Sequence, residues 1–204
     1  MIPALVLAAG RSTRMGRPKA LLPLDCGETF IARIVRTLHD AGLDDVVVVL
    51  GHEPDPIVAD LTRRDTPVRF AANLDFEKGQ LSSLVAGLNA IDRPGVIAAL
   101  VTLVDVPLVS VATVRAVVER YRRTRAPIVR HVAGGRHGHP VLIDRALFDE
   151  FRAADSALGA NVVVRQHVSA DGDVEVTDAH AFRDVDTPDE YDRLVLEVRK
   201  RGEV

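Results

Sequence analysis

The sequence predicts an α/β fold: a three-layer, Rossmann-like arrangement with a mostly parallel sheet and a small antiparallel or irregular C-terminal portion. Over the first two thirds of the 204 residues, short apolar, β-branched runs alternate with longer amphipathic stretches. Residues 2–8 form a continuous apolar run, which is typical of a strand covered on both faces. The resulting βαβαβ order implies parallel strands joined by right-handed crossovers, and the pattern changes near residue 126.

Hydrophobic periodicity assigns the individual elements. Residues 28–41 have apolar side chains at the spacing of one helix face, and Gly42 follows as a stop. We predict further helices at 54–64, 81–91 and 111–122, and strands at 46–50, 67–71 and 96–104. After residue 126 we predict strands at 127–132, 139–143, 174–176 and 181–185, and helices at 145–153, 158–166 and after Pro188.

Composition excludes several classes of protein. Apolar residues make up 47% and charged residues 27% of the chain, so it can bury a core and is not a disordered chain. No apolar run reaches the roughly 18 residues that a membrane span needs. The 26 basic and 29 acidic residues give a net charge of −3, which argues against broad nucleic-acid binding. Since no linker or repeat is visible, we expect one domain over residues 1–204.

Cysteine content and the N-terminal sequence lead us to expect a cytoplasmic protein. Cys26 is the single cysteine, so it cannot form an internal disulfide, and no cysteine pair indicates a structural zinc site. The chain begins with a strand-like run that lacks a basic segment and a small-residue cleavage site. We therefore expect no signal peptide.

The loop after the first predicted strand is the strongest functional signal. Residues 10–19 contain two glycines, two small hydroxyl residues, three arginines and a lysine. Successive backbone N–H groups in a glycine-containing turn form an anion-binding concavity, and Arg14 and Lys19 suit phosphate oxygens. The loop therefore predicts a triphosphate cradle, although a solvated basic loop is the alternative. Both the P-loop spacing and the G-x-G-x-x-G fingerprint are absent, and the latter argues against a nicotinamide-dependent oxidoreductase.

Five segments carry a resemblance to a known family. Residues 7–22 read Leu-Ala-Ala-Gly-x-Ser-x-Arg-Met-Gly-x-x-Lys-x-Leu-Leu, which resembles the signature loop of the MobA-like nucleotidyltransferases, and most closely that of the molybdenum cofactor cytidylyltransferases. Further matches occur in family order at residues 79–88, 105–108, 138–141 and 184–191. The resemblance therefore covers nearly the whole chain, from residue 5 to about residue 194.

The resemblance implies that a phosphate oxygen of an acceptor attacks the α-phosphorus of a nucleoside triphosphate, which releases pyrophosphate. Such a transition state needs positioning and charge neutralisation rather than a strong general base. We expect Arg14, Lys19 and Asp105 to be catalytic, and Asp105 and Asp186 to bind Mg²⁺. Asp184 is an alternative to Asp186, since alternation along a strand would point both to one side. Each carboxylate also has an ordinary alternative as a turn or cap residue.

The resemblance also implies where the nucleotide binds. The expected nucleotide-binding residues are Leu7, Ala8, Ala9, Gly10, Arg11, Ser12, Arg14, Met15, Gly16, Lys19, Asn73, Gly79, Ser82 and Ser83. Helix N-capping is the alternative role of the two serines, and a turn is that of Asn73. Ala9 resembles the CTP-using branch of the family, and its methyl group narrows the pocket floor in favour of a pyrimidine. CTP is therefore the expected donor.

The acceptor side is expected at His137, Gly138, His139 and Pro140, where the two histidines would share one face of a strand. The resemblance implies molybdopterin as the acceptor and a molybdoenzyme as a partner. Val106 and Asn161 depart from the family pattern on this side, so a sugar or polyol phosphate is an alternative acceptor. Arg130, Arg136 and Arg145 either add positive charge here or lie on the surface. A non-catalytic molybdopterin carrier is the competing function, and His52 is expected to be a turn residue.

Overall fold

We describe a computed structural model of the chain, covering residues 1–24 and 27–201. The prediction for Cys26 lies outside these residues. In the described part of the chain, seven strands form one sheet: β1 (Ala4–Leu7), β2 (Val46–Leu50), β3 (Arg69–Ala72), β4 (Ala98–Leu103), β5 (Ile128–Ala133), β6 (Arg136–Asp144) and β7 (Asp173–Glu175). Their order across the sheet is β3-β2-β1-β4-β6-β5-β7.

The helices agree with the predicted pattern, with ends that shift by a few residues. They are α1 (Phe30–Asp40), α2 (Asp55–Arg63), α3 (Gln80–Ile91), α4 (Val111–Thr124), α5 (Phe148–Ala153), α6 (Asn161–His167) and α7 (Pro188–Arg201). Short 3-10 helices, which the periodicity did not predict, occur at Lys19–Leu21, Phe76–Lys78, Arg145–Leu147, Ala170–Gly172 and Ala179–Phe182.

Strand pairing confirms the predicted fold class. The strands β3, β2, β1 and β4 are parallel, whereas β6 runs antiparallel to both β4 and β5. The short strand β7 closes the far edge, parallel to β5. The first half is thus a Rossmann-like parallel sheet, and the antiparallel part follows residue 126 as predicted.

The two faces of the sheet bury two separate apolar layers. Alternate residues of β1 and β2, such as Val6 and Val48, face α1, α2 and α4. The intervening residues, such as Leu5 and Val47, face α3 and α5. Because successive strand side chains point to opposite faces, a strand covered on both sides needs a continuous apolar run, and this is why the sequence located these strands.

One predicted strand is wrong. Residues 181–185 form no strand; instead, Ala179–Phe182 is a 3-10 helix that begins where the Asp178 carboxylate accepts a hydrogen bond from the His180 N–H at 3.1 Å. Beyond it, the Val185 N–H donates to the carbonyl of Asp105, at 2.9 Å, in the loop after β4. After the 3-10 helix the segment is extended, and this backbone hydrogen bond joins it to a loop rather than to a strand, so it is not part of the sheet.

Among the described helices, none combines the length and the apolar character that a membrane crossing requires.

Gly51, directly after β2, lies where the structure has no room for a side chain. A β-carbon there would lie 2.8 Å from the Ala9 carbonyl oxygen and 2.7 Å from the Phe76 β-carbon. We predict that Gly51→Ala lowers the free energy of unfolding by about 1–3 kcal/mol, the usual cost of overpacking. Gly10→Ala is the control, because a β-carbon on Gly10 meets nothing within 4 Å. Urea unfolding of both variants tests this; equal stabilities would contradict it.

Candidate active site

A cleft of about 340 Å³ opens at the carboxyl ends of β1, β2 and β4, where ligands bind in open parallel sheets. The register places Leu7 beside Val49 and Leu103, so the loops that follow the three strands start at one level. Of the predicted site residues, those that line the cleft are Leu7, Ala8, Ala9, Gly10, Arg11, Ser12, Arg14, Lys19, Gly79, Ser83, Asp105 and Asp186.

Hydrogen bonds within the first loop hold it in a compact turn. The Ser12 carbonyl accepts from the N–H groups of Met15, at 3.0 Å, and Gly16, at 3.1 Å. The Ser12 hydroxyl accepts from the Lys19 N–H at 3.1 Å, which ties the turn to the 3-10 helix Lys19–Leu21. Gly16 has a φ of 70°, in the left-handed region that glycine adopts without strain. The loop is therefore shaped by its own backbone before any ligand arrives.

Lys19 lies between two carboxylates that are distant in sequence. Its Nζ donates a short hydrogen bond to Asp186 and lies 3.5 Å from Asp105 Oδ2. Arg14 Nη2 lies 2.8 Å from the other oxygen of Asp186. The Lys19 side chain is only 10% exposed, and burying an ammonium group is costly unless it is paired. The pairing therefore fixes the loop, the end of β4 and the segment before α7 against one another.

The carboxylates of the cluster have different electrostatic environments. The hydrogen bond from Lys19 lowers the pKa of Asp186. Burial raises the pKa of Asp105, and the Lys19 charge opposes this only in part. Burial, and then the carboxylates of Asp105 and Asp186, raise the pKa of Asp184. Three acids thus lie close enough to repel one another, and additional positive charge in the cleft would relieve that repulsion.

The arrangement fits a divalent cation that binds together with a phosphate ligand. Asp105 Oδ1 is buried and has no hydrogen-bond partner, so this acceptor is open to a cation. Within residues 1–24 and 27–201, no three His, Cys, Asp or Glu side chains form a ready-made metal site. A divalent cation that is held by one or two carboxylates together with the phosphates of a ligand does not need such an all-protein cage.

The start of α7 positions Asp186 through its backbone. The Glu190 carboxylate accepts hydrogen bonds from the N–H groups of Asp186, at 2.8 Å, and Thr187, at 2.9 Å. In return, the Glu190 N–H donates a hydrogen bond to the Thr187 hydroxyl at 3.4 Å. This is a capping box. Thr187 and Glu190 therefore take the cap role that was the alternative for Asp186, whose side chain is directed to Lys19 and Arg14.

Asn73 and Ser82 support the cleft without lining it. Asn73 Nδ2 donates to the hydroxyls of Ser82, at 2.9 Å, and Ser83, at 3.0 Å. The Ser82 hydroxyl lies 2.8 Å from the Gly79 carbonyl, to which it donates. Since α3 begins at Gln80 with no side-chain cap, the predicted N-cap role of the serines is wrong. Their network instead fixes Gly79 and Ser83, which do face the cleft.

Two predicted residues of the first loop lie away from the cleft lining. The Met15 side chain is buried in a small apolar cluster with Leu22, Leu24 and Phe30. Gly16 follows it in the turn and is not part of the lining. Met15 therefore anchors the loop to the helical layer below.

The sequence reasoning missed an aromatic wall of the cleft. The rings of His52 and Phe76 lie 5.9 Å apart, and the Arg11 guanidinium lies 5.6 Å from the Phe76 ring centroid. Arg11 also forms an ion pair with Glu77. The available signal was positional: His52 follows β2 directly and Phe76 lies just before Gly79, so both are in loops that follow parallel strands, where ligands bind in such sheets.

Three of the four predicted acceptor residues line a second cavity of about 200 Å³, which adjoins the cleft through Leu7 and Gln80. His137 and His139 share the cavity face of β6, as the strand spacing predicted. Gly138 also lines it, whereas Pro140 does not. The cavity is flanked by Arg130, whose Nε donates to Asp173 at 2.8 Å.

The other two arginines considered for the acceptor side lie elsewhere. Arg136 lies over the Phe182 ring, 5.4 Å from its centroid. Arg145 pairs with Asp92 at 2.7 Å, beyond the amino end of β4 and therefore at the opposite edge of the sheet from the cleft.

Comparison with known proteins identifies the family to which this arrangement belongs. The family model described as the MobA-like NTP transferase domain matches residues 4–171. Nicotine blue oxidoreductase from Paenarthrobacter nicotinovorans is 33% identical over 201 residues, which cover 95% of this chain and 96% of that protein. A probable molybdenum cofactor guanylyltransferase from Opitutus terrae is 34% identical over 129 residues, which cover 63% of this chain and 60% of that protein.

Solved structures share the fold over nearly the full length. Rv0371c from Mycobacterium tuberculosis H37Rv superimposes with a TM-score of 0.78 and 28% identity, covering 96% of this chain and 98% of that chain. Its crystal structure in complex with manganese gives a TM-score of 0.75 at 28% identity, covering 97% and 99% of the two chains. A nucleotidyl transferase from Methanothermobacter thermautotroptrophicus gives 0.80 at 26% identity, covering 98% and 99%.

The pairing of Lys19 with Asp105 and Asp186 leads to a prediction about triphosphate affinity. Removal of the Asp186 carboxylate should raise this affinity when no metal is present and lower it when a metal is present. Asp186→Asn frees Arg14 and Lys19 from a competing anion, so inorganic triphosphate in EDTA should bind about fivefold more tightly, the scale of one partly exposed ion pair. With Mn²⁺ present, the same variant should bind more weakly than wild type. Isothermal titration calorimetry measures both affinities.

The control for this experiment is Asp189→Asn, an equal charge change at an exposed position in the first turn of α7. It should leave both affinities near those of the wild type. A metal-free affinity of Asp186→Asn no higher than that of Asp189→Asn would show that the ion pairs do not compete with phosphate.

Proposed function

The chain belongs to the MobA-like NTP transferase family of nucleotidyltransferases, and from this premise we propose that it transfers CMP from CTP to a phosphorylated acceptor, with molybdopterin as the leading candidate. The observation that carries the proposal is the Lys19 ammonium paired with Asp105 and Asp186 beside a backbone-shaped anion loop. Relatedness to a probable molybdenum cofactor guanylyltransferase supports the acceptor. A molybdoenzyme that receives the product is the partner that this proposal implies.

In the proposed reaction, a phosphate oxygen of the acceptor forms a bond to the α-phosphorus, and the bond between the α-phosphorus and the bridging oxygen breaks. The electron pair of that bond leaves with pyrophosphate. Arg14 and Lys19 exchange their carboxylate partners for phosphate oxygens and neutralise charge in the transition state. Because the acceptor phosphate is already anionic, the chain has no need of a general base.

Asp105 and Asp186 are the proposed ligands of Mg²⁺, with Asp184 as the alternative second ligand. The unpartnered Oδ1 of Asp105 supports this, as does the manganese complex of the structural relative Rv0371c. The bound cation would supply positive charge to the phosphate oxygens. The lowered pKa of Asp186 keeps that carboxylate ionised and ready to bind a cation.

Ala9 is the proposed determinant of the base. It is buried, it lines the cleft, and its β-carbon lies 2.9 Å from the position that a Gly51 side chain would take. The methyl group therefore packs against the loop after β2 and occupies space at the cleft that a larger base would need. This favours a pyrimidine, and hence CTP, over GTP.

Full-length similarity to nicotine blue oxidoreductase favours a second candidate function, an oxidoreductase. The polar cleft would then hold the phosphates of a reduced nicotinamide dinucleotide, whose hydride would pass to an acceptor in the adjoining cavity. The paired carboxylates and the unpartnered Asp105 oxygen have no role in hydride transfer, so they favour nucleotidyl transfer. Oxidation of NADH or NADPH with no pyrophosphate released from any triphosphate would reverse this preference.

We predict that Lys19→Ala and Asp105→Asn each lower the rate of nucleotidyl transfer by at least about a hundredfold, since each removes a group that stabilises developing charge. The measurement is pyrophosphate release under saturating CTP and Mg²⁺, with circular dichroism to verify folding. Lys78→Ala is the matched control: Lys78 is exposed, pairs with Asp75 and does not line the cleft. Near-wild-type rates for Lys19→Ala or Asp105→Asn would remove that residue from the mechanism.

We also predict that CTP is used faster than GTP, ATP or UTP when each is tested against molybdopterin and simpler phosphates. Pyrophosphate release across this panel measures donor and acceptor together. Faster turnover of GTP would overturn the base assignment but retain nucleotidyl transfer. If CTP binds and no phosphorylated acceptor yields pyrophosphate, the non-catalytic carrier becomes the better description.

A further inference from the structure

The second cavity differs in chemistry from the cleft that it adjoins. It lies between the sheet and the helices α3, α5 and α6, and eight of its fourteen lining residues are apolar: Leu7, Leu84, Val101, Val141, Ile143, Phe151, Ala160 and Val164. Sheet side chains form one wall and helix side chains form the other. The cavity is therefore a slot between two apolar layers.

The charge on the walls of the slot is compensated. Arg130 is the one Lys, Arg, Asp or Glu among the described residues that line it, and its Nε donates to Asp173 at 2.8 Å. His137 Nε2 lies 3.6 Å from the other oxygen of Asp173. The neighbouring cleft, in contrast, presents Arg11, Arg14 and Lys19. Besides its phosphate, which would lie in the cleft, the acceptor could place another anionic group in the slot. That group would lose its hydration and find no unpaired Lys or Arg side chain there.

The remaining polar groups are few and uncharged at neutral pH. Burial lowers the pKa of His139 to about 4, so its imidazole serves as a hydrogen-bonding group rather than a charge. Gln80 and Asn161 contribute amides. A sugar or polyol carries a hydroxyl on nearly every carbon, and most of these would face aliphatic walls without a partner, at a substantial cost.

We propose that this slot binds the uncharged part of the acceptor, that this part is a flat ring system with apolar faces rather than a sugar or polyol, and that Val164 is a determinant of this specificity. The inference rests on the proposed function in one respect: the acceptor phosphate would lie in the adjoining cleft, past Leu7 and Gln80. At about 200 Å³ the slot is smaller than most sites for drug-sized ligands, so it suits one small ring system.

Binding of two phosphate esters tests the proposal directly. We would titrate 1-naphthyl phosphate by its own fluorescence, which the chain leaves clear because it contains no Trp, and ribitol 5-phosphate by calorimetry. The wild type should bind 1-naphthyl phosphate at least about tenfold more tightly than ribitol 5-phosphate, because the loss of a single methylene contact in an apolar pocket already lowers affinity by about that factor. Equal or tighter binding of ribitol 5-phosphate would overturn the proposal.

Two variants on α6 provide the matched comparison. Val164→Phe fills the slot, whereas Val162→Phe places the same side chain at a partly exposed position outside it. Val164→Phe should weaken the naphthyl ester by at least about tenfold, and Val162→Phe should not. Val164→Asn, which adds no volume, should shift preference towards ribitol 5-phosphate. If neither Val164 variant changes naphthyl affinity, the slot is not the binding site.

The same samples separate failure of this inference from failure of the proposed function. Binding of CTP with Mg²⁺ is measured beside each ester and should be unaffected by Val164→Phe. Absence of CTP binding in the wild type would count against nucleotidyl transfer. The relative affinities for the two esters, and their change in the Val164 variants, would still show whether the slot binds a ring system.

Discussion

The burial of the Lys19 ammonium group is the constraint on which the candidate site depends. A nearly buried cation needs anionic partners, and Lys19 finds them in Asp105 and Asp186, the latter 167 positions away in the chain. Because Lys19 pairs with both carboxylates, the first loop, the end of β4 and the segment before α7 hold one another in place. In the reaction that we propose, the same three groups exchange this pairing for a metal and a triphosphate.

The constraint explains why the C-terminal segment is part of the site. The family model ends at residue 171, yet Asp186 and the capping box that holds it follow that point. The Val185 N–H reaches the Asp105 carbonyl, so the segment crosses the sheet edge just where β4 ends. The antiparallel part of the sheet carries the chain past the cleft, and the return to the cleft supplies the second carboxylate.

The sequence predicted what depends on local pattern and missed what depends on long-range contacts. Continuous apolar runs located β1, β2 and β4, because both faces of those strands are covered. The composition of residues 10–19 singled out a loop that lines the cleft. The spacing of residues 181–185 is equally compatible with a strand, and only the backbone hydrogen bonds show a 3-10 helix at Ala179–Phe182 and a bond from Val185 to the loop after β4. The His52–Phe76 wall forms from two loops that no periodicity connects.

The contrast between the charged cleft and the mainly apolar slot suggests where proteins that share this fold differ in the molecules they bind. Charge is concentrated in the cleft built from the first loop, and any phosphate-bearing ligand can use it. The slot beside it is built from the sheet and from α3, α5 and α6, and Asn161 is among its lining residues. If the slot binds the acceptor as we propose, a change in its lining residues alters which acceptor binds without disturbing Lys19 or its carboxylates. Differences in chemistry between members of the family should therefore be sought in the slot rather than in residues 10–19.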